Sequence, residues 1–270
     1  MPPPTAVPEP STAPIRFNDG SEYERYMGAW STEVGRQFLD WLAPAAGQRW
    51  LDVGCGSGAF TAWVAQHAAP AALHGVDPSD AQLVYARQRT LQPPAQWALG
   101  DAMALPYAAA QFDQAVMPLV IFFVPEPARG VAEMVRVLAP GGWASAYAWD
   151  MAGGGFPYHL AQQLLRELGC PVVLPPSPEA SDLPTLQALW TQAGLTQVQT
   201  TVFTVQRRYA SVEDYWQTLL CSPSLSAELK ALTPPQLKDL QARLRERLPL
   251  QADGSVLCSA RAHAVKGRKG

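Results

Sequence analysis

Trp50-Leu-Asp-Val-Gly-Cys-Gly-Ser-Gly-Ala-Phe60 sets three glycines between a short apolar run and a segment with helical spacing at Phe60, Val64 and His67. Trp50 to Val53 read as a buried strand, Gly54, Gly56 and Gly58 as a tight turn, and the residues after Gly58 as the first turns of a helix. A turn this tight needs residues without a Cβ, and the backbone N–H groups at the helix start are donors available to a bound ligand. Strand, glycine turn and helix together describe a nucleotide site, although the same turn also serves simply to let a helix pack closely on a sheet. Ala72 to Val76 read as a second strand ending in Asp77, about 20 residues past the glycines, where a doubly wound sheet places the acceptor for ribose hydroxyls. A third strand, Ala95 to Gly100, ends in Asp101. Asp77 and Asp101 therefore fit ligand contacts at successive strand ends, and they also fit helix N-caps.

From Arg49 to Asp150 strand and helix alternate five times, which predicts a parallel sheet covered on both faces. Pro125 to Ala139 reads as one of the helices, with Pro127 in its first turn, Val131, Met134, Val135 and Leu138 on its apolar face, and Pro140-Gly-Gly142 stopping it. Gln114 to Met117 and Trp143 to Trp149 read as the fourth and fifth strands, and Met151 to Gly155 as a flexible turn beside the substrate. His159 follows as a candidate general base or, equally, a surface or capping residue. Leu186 to Gly194 is an expected helix, Gln197 to Tyr209 a sixth strand and Gly254 to Val265 a seventh.

Leu51-Asp-Val-Gly-Cys-Gly-Ser-Gly58, Asp77, Gly100-Asp-Ala102, Phe112-Asp-Gln-Ala-Val116 and Leu138-Ala-Pro-Gly-Gly142 together resemble the class I S-adenosylmethionine (SAM) dependent methyltransferases, and within them the quinone-biosynthesis type. The resemblance implies an α/β fold: a doubly wound, Rossmann-like, seven-stranded sheet with an antiparallel last strand and a small helical cap. It implies an enzyme that transfers the SAM methyl group to a small-molecule acceptor by in-line displacement. It places the cofactor against Asp52, Gly54, Cys55, Gly56 and Gly58. Asp77 and Pro78 then lie at the ribose, Asp101, Ala102 and Met103 at the adenine, and Met117 to Val120, with Leu119 among them, beneath the sulfonium. Tyr26 or Trp30, on an aromatic stripe with Tyr23 and Met27 behind the capping box Ser21-Glu-Tyr-Glu24, would stand near the methionine end, and the bland alternative is that this stripe only packs on the core. No catalytic residue is named. Two rival readings stay open: an NAD(P)-dependent oxidoreductase, because Gly54-x-Gly56-x-x-Ala59 followed by Asp77 also satisfies the dinucleotide fingerprint, and a SAM-binding module without transferase activity.

The organisation expected is a disordered proline-rich segment at 1–14, N-terminal helices at 15–45 covering the cofactor, a SAM-binding core at 46–150, and the rest of the sheet at 151–270 with a helical cap inserted at 211–248. Thr233-Pro-Pro should open a helix of that cap with Leu237, Leu240, Leu244 and Leu248 on one side. Tyr215, Trp216 and Leu219 or Leu220 are candidates for an acceptor pocket. Of the 270 residues 48% are hydrophobic and 16% charged, with net charge −3, which speaks against nucleic acid or an anionic membrane as partner. The basic run Lys266 to Lys269 reads as a solvated tail. The four cysteines are scattered with no CxxC, so neither a metal site nor a disulfide framework is expected, and a reducing compartment, the cytoplasm, fits. No secretory signal or spanning segment is expected.

Overall fold

The computed structural model describes residues 24–222 and 225–270. The proline-rich stretch 1–14 and the Ser21 to Tyr23 part of the expected capping box lie outside the described residues. A π-helical turn at Glu24–Gly28 runs into α1 (Ala29–Leu42), so the two N-terminal helices expected are one continuous helical run. Then follow β1 (Arg49–Val53), α2 (Ala59–His67), β2 (Ala72–Asp77), α3 (Asp80–Ala86), β3 (Ala95–Leu99) and β4 (Phe112–Pro118). After a 3-10 turn at Ile121–Phe123 come α4 (Pro127–Val137), β5 (Leu138–Trp149), α5 (His159–Glu167), a second 3-10 turn at Pro178–Ser181, α6 (Leu183–Gln192) and β6 (Thr196–Tyr209). The insert carries α7 (Val212–Leu219), α8 (Ser226–Ala231) and α9 (Pro234–Arg247), and β7 (Val256–Arg268) closes the chain.

The seven strands form one sheet in the order β3-β2-β1-β4-β5-β7-β6. The first five are parallel, and β7 runs antiparallel between β5 and β6. Chain order reverses between β1 and β4, so the crevice at their carboxyl ends is the switch point at which such sheets bind ligands. Helices cover both faces: the amine of Lys266 in β7 donates to the Trp41 carbonyl of α1 at 3.0 Å, while the neighbouring Gly267 backs onto Trp190 of α6. Adjacent residues of a strand point to opposite faces.

Two expectations fail here for identifiable reasons. Leu138 is not the last apolar residue of a helix but the first of β5, paired with Phe112, and Ala139 to Gly142 form an irregularity before pairing resumes at Trp143 and Gln114. Leu138 is buried in both readings, so an apolar period alone could not decide its conformation. The basic run at 266–269 is not a tail. Lys266 lies 4.4 Å from the Trp41 ring centroid, and the Lys269 amine donates to the carbonyls of Val135 and Leu138 at 2.8 and 2.7 Å, capping the end of α4. Cations at a helix C-terminus satisfy carbonyls that have no intrahelical donor.

The insert leaves the sheet at Tyr209 and re-enters at Val256, which pair with each other. Both lie at the rim formed by the carboxyl ends of the parallel strands. Its α9 opens with a capping box between Thr233 and Gln236 and buries Leu240 and Leu244, with Leu248 just beyond also buried. The Glu167 carboxylate at the end of α5 accepts from Arg247 at 3.0 Å, an exposed pair that marks where α9 lies on α5.

Candidate functional site

The glycine turn is held by β2. Gly54 and Cys55 both donate their N–H to the Val76 carbonyl, at 2.7 and 3.1 Å. Gly54 has φ +74, and a Cβ there would stand 2.5 Å from a methyl of Val120, so this glycine is needed for the approach of the chain following β4. Gly56 differs. Its φ is +53, yet among the described residues a Cβ would meet only the Gln82 side-chain oxygen, at 3.8 Å. A positive φ beside open space is the geometry of a backbone that a ligand approaches.

Asp77 ties this turn to the start of α3. One carboxylate oxygen accepts from Gly56 N–H at 2.8 Å and the other from Ser79 N–H at 2.8 Å. Burial raises its pKa, and the two backbone donors offset only part of the rise. The N-cap of α3 is Ser79, whose hydroxyl accepts from Gln82 N–H at 3.4 Å, so Asp77 is not itself the cap. Two donors leave about half of a carboxylate's lone-pair sites open for a ligand. Pro78 is exposed beside it. Asp101 likewise caps no helix: it closes a tight turn by accepting from Met103 N–H at 2.7 Å, with Asp101 exposed and Ala102 and Met103 half-buried.

Asp52 is the least ordinary group of the site. It is 4% exposed, one oxygen accepts from the Thr61 hydroxyl at 2.6 Å, and the other has no partner among the described residues. Burial pushes its pKa up to about 7 against the Thr61 bond, with the nearby Asp77 charge adding to the rise. The Cys55 thiol is buried as well and is pushed well up by burial and then by Asp52 and Asp77, which makes it an inert thiol.

The remaining expected residues divide. Leu119 is half-buried with φ +59, and its N–H donates to the Tyr147 carbonyl at 2.7 Å. Val120, next in the chain, is the side chain that meets Gly54. Met117 does not join them: it is fully buried, and its terminal methyl points at Gly130 of α4 on the other side of the sheet. Tyr26 and Trp30 lie in an aromatic cluster. Tyr26 stacks on Tyr158 at 4.2 Å, and the Trp30 indole donates to the Tyr209 hydroxyl at 3.2 Å. The Tyr158 hydroxyl and Arg207 both donate to the Tyr26 carbonyl, at 2.7 and 3.0 Å. No described contact joins either residue to the glycine turn.

At the end of β5, Asp150 is 3% exposed and accepts from Gly153 N–H at 2.7 Å and Arg261 Nε at 2.8 Å. Burial acts to raise its pKa, but Arg261 and Gly153 outweigh it and hold the carboxyl below its ordinary value. The glycine-rich turn at 151–155, expected to be flexible, is thus pinned at its middle. The His159 ring packs on Gly154, and burial followed by Arg166 lowers its pKa. In α7, Tyr215 and Leu219 are buried and Tyr215 packs edge-on to Tyr209 at 5.1 Å, whereas Leu220 faces solvent. A small cavity of about 60 Å³ lies between α7 and α9, bordered by Tyr215, Trp216, Gln241 and Leu244. Among the described residues no cluster could hold a metal ion, and no helix is long and apolar enough to cross a membrane.

Thr61, Gln82 and Arg89, whose Nε donates to the Ser57 carbonyl at 2.6 Å, are parts of the site with no counterpart among the expected residues. Only Gln82 carried a signal, as the fourth residue of the capping pattern Ser79-x-x-Gln82.

Residues 51–146 match the methyltransferase domain family. The segment is similar to the ubiquinone/menaquinone biosynthesis C-methyltransferase UbiE of Dinoroseobacter shibae, 39% identical over 108 residues, which is 38% of this chain and 43% of that protein. The chain thus spans less than half the length of this curated relative. A putative methyltransferase of Bacillus halodurans has the same fold, with TM-score 0.58 and 15% identity over 87% of this chain and 98% of that one. So does phosphoethanolamine N-methyltransferase 2 of Haemonchus contortus, solved with phosphomonomethylethanolamine and S-adenosylhomocysteine, with TM-score 0.58 and 17% identity over 92% of this chain and 56% of that one. The strand order is that of the fold these proteins share, and the glycine turn lies within the segment that matches the methyltransferase domain family.

Proposed function

We propose that this chain is a SAM-dependent methyltransferase acting on a small-molecule acceptor. The observation that carries the reading is the glycine turn itself: Gly56 is open to a ligand, Asp77 braces it with acceptor capacity to spare, and beside it the buried Asp52 holds an oxygen with no partner. A cofactor with a ribose and a cationic amino group fits these groups. Asp77 takes the ribose hydroxyls, the Gly54 carbonyl and Asp52 the ammonium, and Asp101 with Ala102 and Met103 the adenine edge. Bound there, SAM supplies a sulfonium-activated methyl group that an acceptor nucleophile takes in one in-line displacement. The work left to the protein is alignment and exclusion of water. Half-buried Phe60, Leu119 and Val120 give the turn an apolar border. The N-terminal helix and the 211–248 insert act as covers, the insert from the carboxyl rim where it leaves the sheet.

The test is incubation with methyl-labelled SAM and the small-molecule fraction of a cell extract. Label in a low-mass product together with S-adenosylhomocysteine is expected from the wild type and not from Asp77→Ala. Binding of S-adenosylhomocysteine without any label transfer would replace this reading with that of a SAM-binding module lacking transferase activity.

A further inference from the structure

Asp52 sits under the glycine turn with one oxygen bonded to Thr61 and the other aimed at no protein donor. Its neighbours across the sheet, Gly75 in β2 and Val116 in β4, offer nothing polar from their side chains. The ionisable groups that bear on it are Asp77 from β2 and the Cys55 thiol from the turn. Arg89, beside the turn, is bonded to the Ser57 carbonyl. Among the described residues no Lys, Arg or His pairs with Asp52. A buried carboxylate with a second carboxylate nearby and no cation is costly, and such a group relieves the cost by holding a proton.

We propose that Asp52 rests as a neutral acid in the free protein, and that capture of a ligand's cationic amino group at its open oxygen expels that proton, coupling cofactor capture to proton release through this one carboxyl. The inference rests on the SAM reading of the site. In the step the Asp52 O–H bond breaks, the proton passes to solvent, and the carboxylate left behind accepts from the ligand's ammonium. Thr61 is the positioning residue: its hydroxyl donates to the first oxygen, which fixes the plane of the carboxyl and favours the ionised form. Burial with the Asp77 charge sets the free acid near pH 7.

The experiment is calorimetric titration with S-adenosylhomocysteine between pH 5.5 and 7.0, where an α-amino group stays cationic, in two buffers of different ionisation enthalpy. For a free-acid midpoint near 7, about 0.9 proton is released per ligand at pH 6 and about 0.5 at pH 7, and affinity falls about fivefold from pH 7 to 6 and about tenfold per unit below. Asp52→Asn should bind more weakly, with no proton release and a flat pH profile. Thr61→Val should keep the release but move its midpoint to higher pH. 5′-Methylthioadenosine, which lacks the amino-acid end, should release none. The proposal is overturned if the wild type binds S-adenosylhomocysteine at pH 6 without releasing a proton, or if release persists in Asp52→Asn. Failure of S-adenosylhomocysteine to bind at every pH would strike the SAM reading itself, and this inference with it.

Discussion

Replacing Asp77 by Ala removes two things at once, and the structure allows them to be separated. The first is a brace. Gly56 and Ser79 each donate a backbone N–H to the carboxylate at 2.8 Å, and charge-assisted bonds of this kind contribute about 1.5 to 3 kcal/mol each where water cannot replace them. Both donors lie at a half-buried surface where water can enter, so a net loss of about 1 to 3 kcal/mol for the pair is expected, lowering the melting temperature by several degrees without unfolding the domain. The second is the ribose contact. One further charge-assisted bond of about 1.5 to 3 kcal/mol corresponds to a loss of S-adenosylhomocysteine affinity of roughly 10- to 150-fold. Calorimetry and thermal melting on the same preparation, with Asp77→Asn alongside, read the two effects. Asn keeps one acceptor oxygen and loses the charge, so it should fall between wild type and Ala in both measurements. If Asp77→Ala melts lower but binds S-adenosylhomocysteine within threefold of wild type, Asp77 is a brace only and the ribose assignment is wrong.

Gly56→Val should abolish S-adenosylhomocysteine binding, because a branched residue cannot hold φ +53 without strain and its side chain would enter the open space over the turn; retained tight binding in a calorimeter would show that the ligand lies elsewhere. Asp52→Asn should stabilise the ligand-free protein. The folded pKa near 7 lies above the ordinary 3.8, so stability is full below pH 4 and is lost as pH rises through 7, and the amide removes a cost of at most about 4 kcal/mol above that. Its melting temperature should match wild type at pH 4 and exceed it by several degrees at pH 8, and equal melting at pH 8 would mean that Asp52 is not strained. Leu219→Ala, at a fully buried position of α7, should cost about 2 to 5 kcal/mol in denaturant unfolding and leave S-adenosylhomocysteine affinity unchanged; a loss below 1 kcal/mol would show that the insert is not part of the core.

What was legible in the sequence was local. The run from Trp50 to Phe60 fixes a strand, a turn and a helix because glycine conformations and apolar spacing act over a few residues, and Asp77 was legible because it ends a strand at a fixed distance beyond. The misreadings are non-local. Leu138 is apolar and buried in either conformation, and only its pairing with Phe112 makes it strand. Lys266 to Lys269 form a strand end because Trp41 and the last carbonyls of α4 are there to receive two of them. Met117 lies at the right height in its strand, but the face it points to depends on the parity of the pairing, which turns it toward Gly130. Tyr26 and Trp30 show the stripe that the sequence predicts, and their partners Tyr158 and Tyr209 come from 132 and 179 residues away. Thr61 gave no sign of itself, since a threonine in the first turn of a helix is common and its value lies in the orphaned carboxylate opposite.

The central claim is that the glycine turn holds the cofactor, and a crystal structure of the S-adenosylhomocysteine complex tests it most directly. The account predicts the nucleoside over Gly56, the ribose hydroxyls within hydrogen-bond reach of Asp77 and the amino group on the free oxygen of Asp52. A ligand bound away from Gly56, or one whose amino group leaves the Asp52 oxygen without a partner, would contradict it.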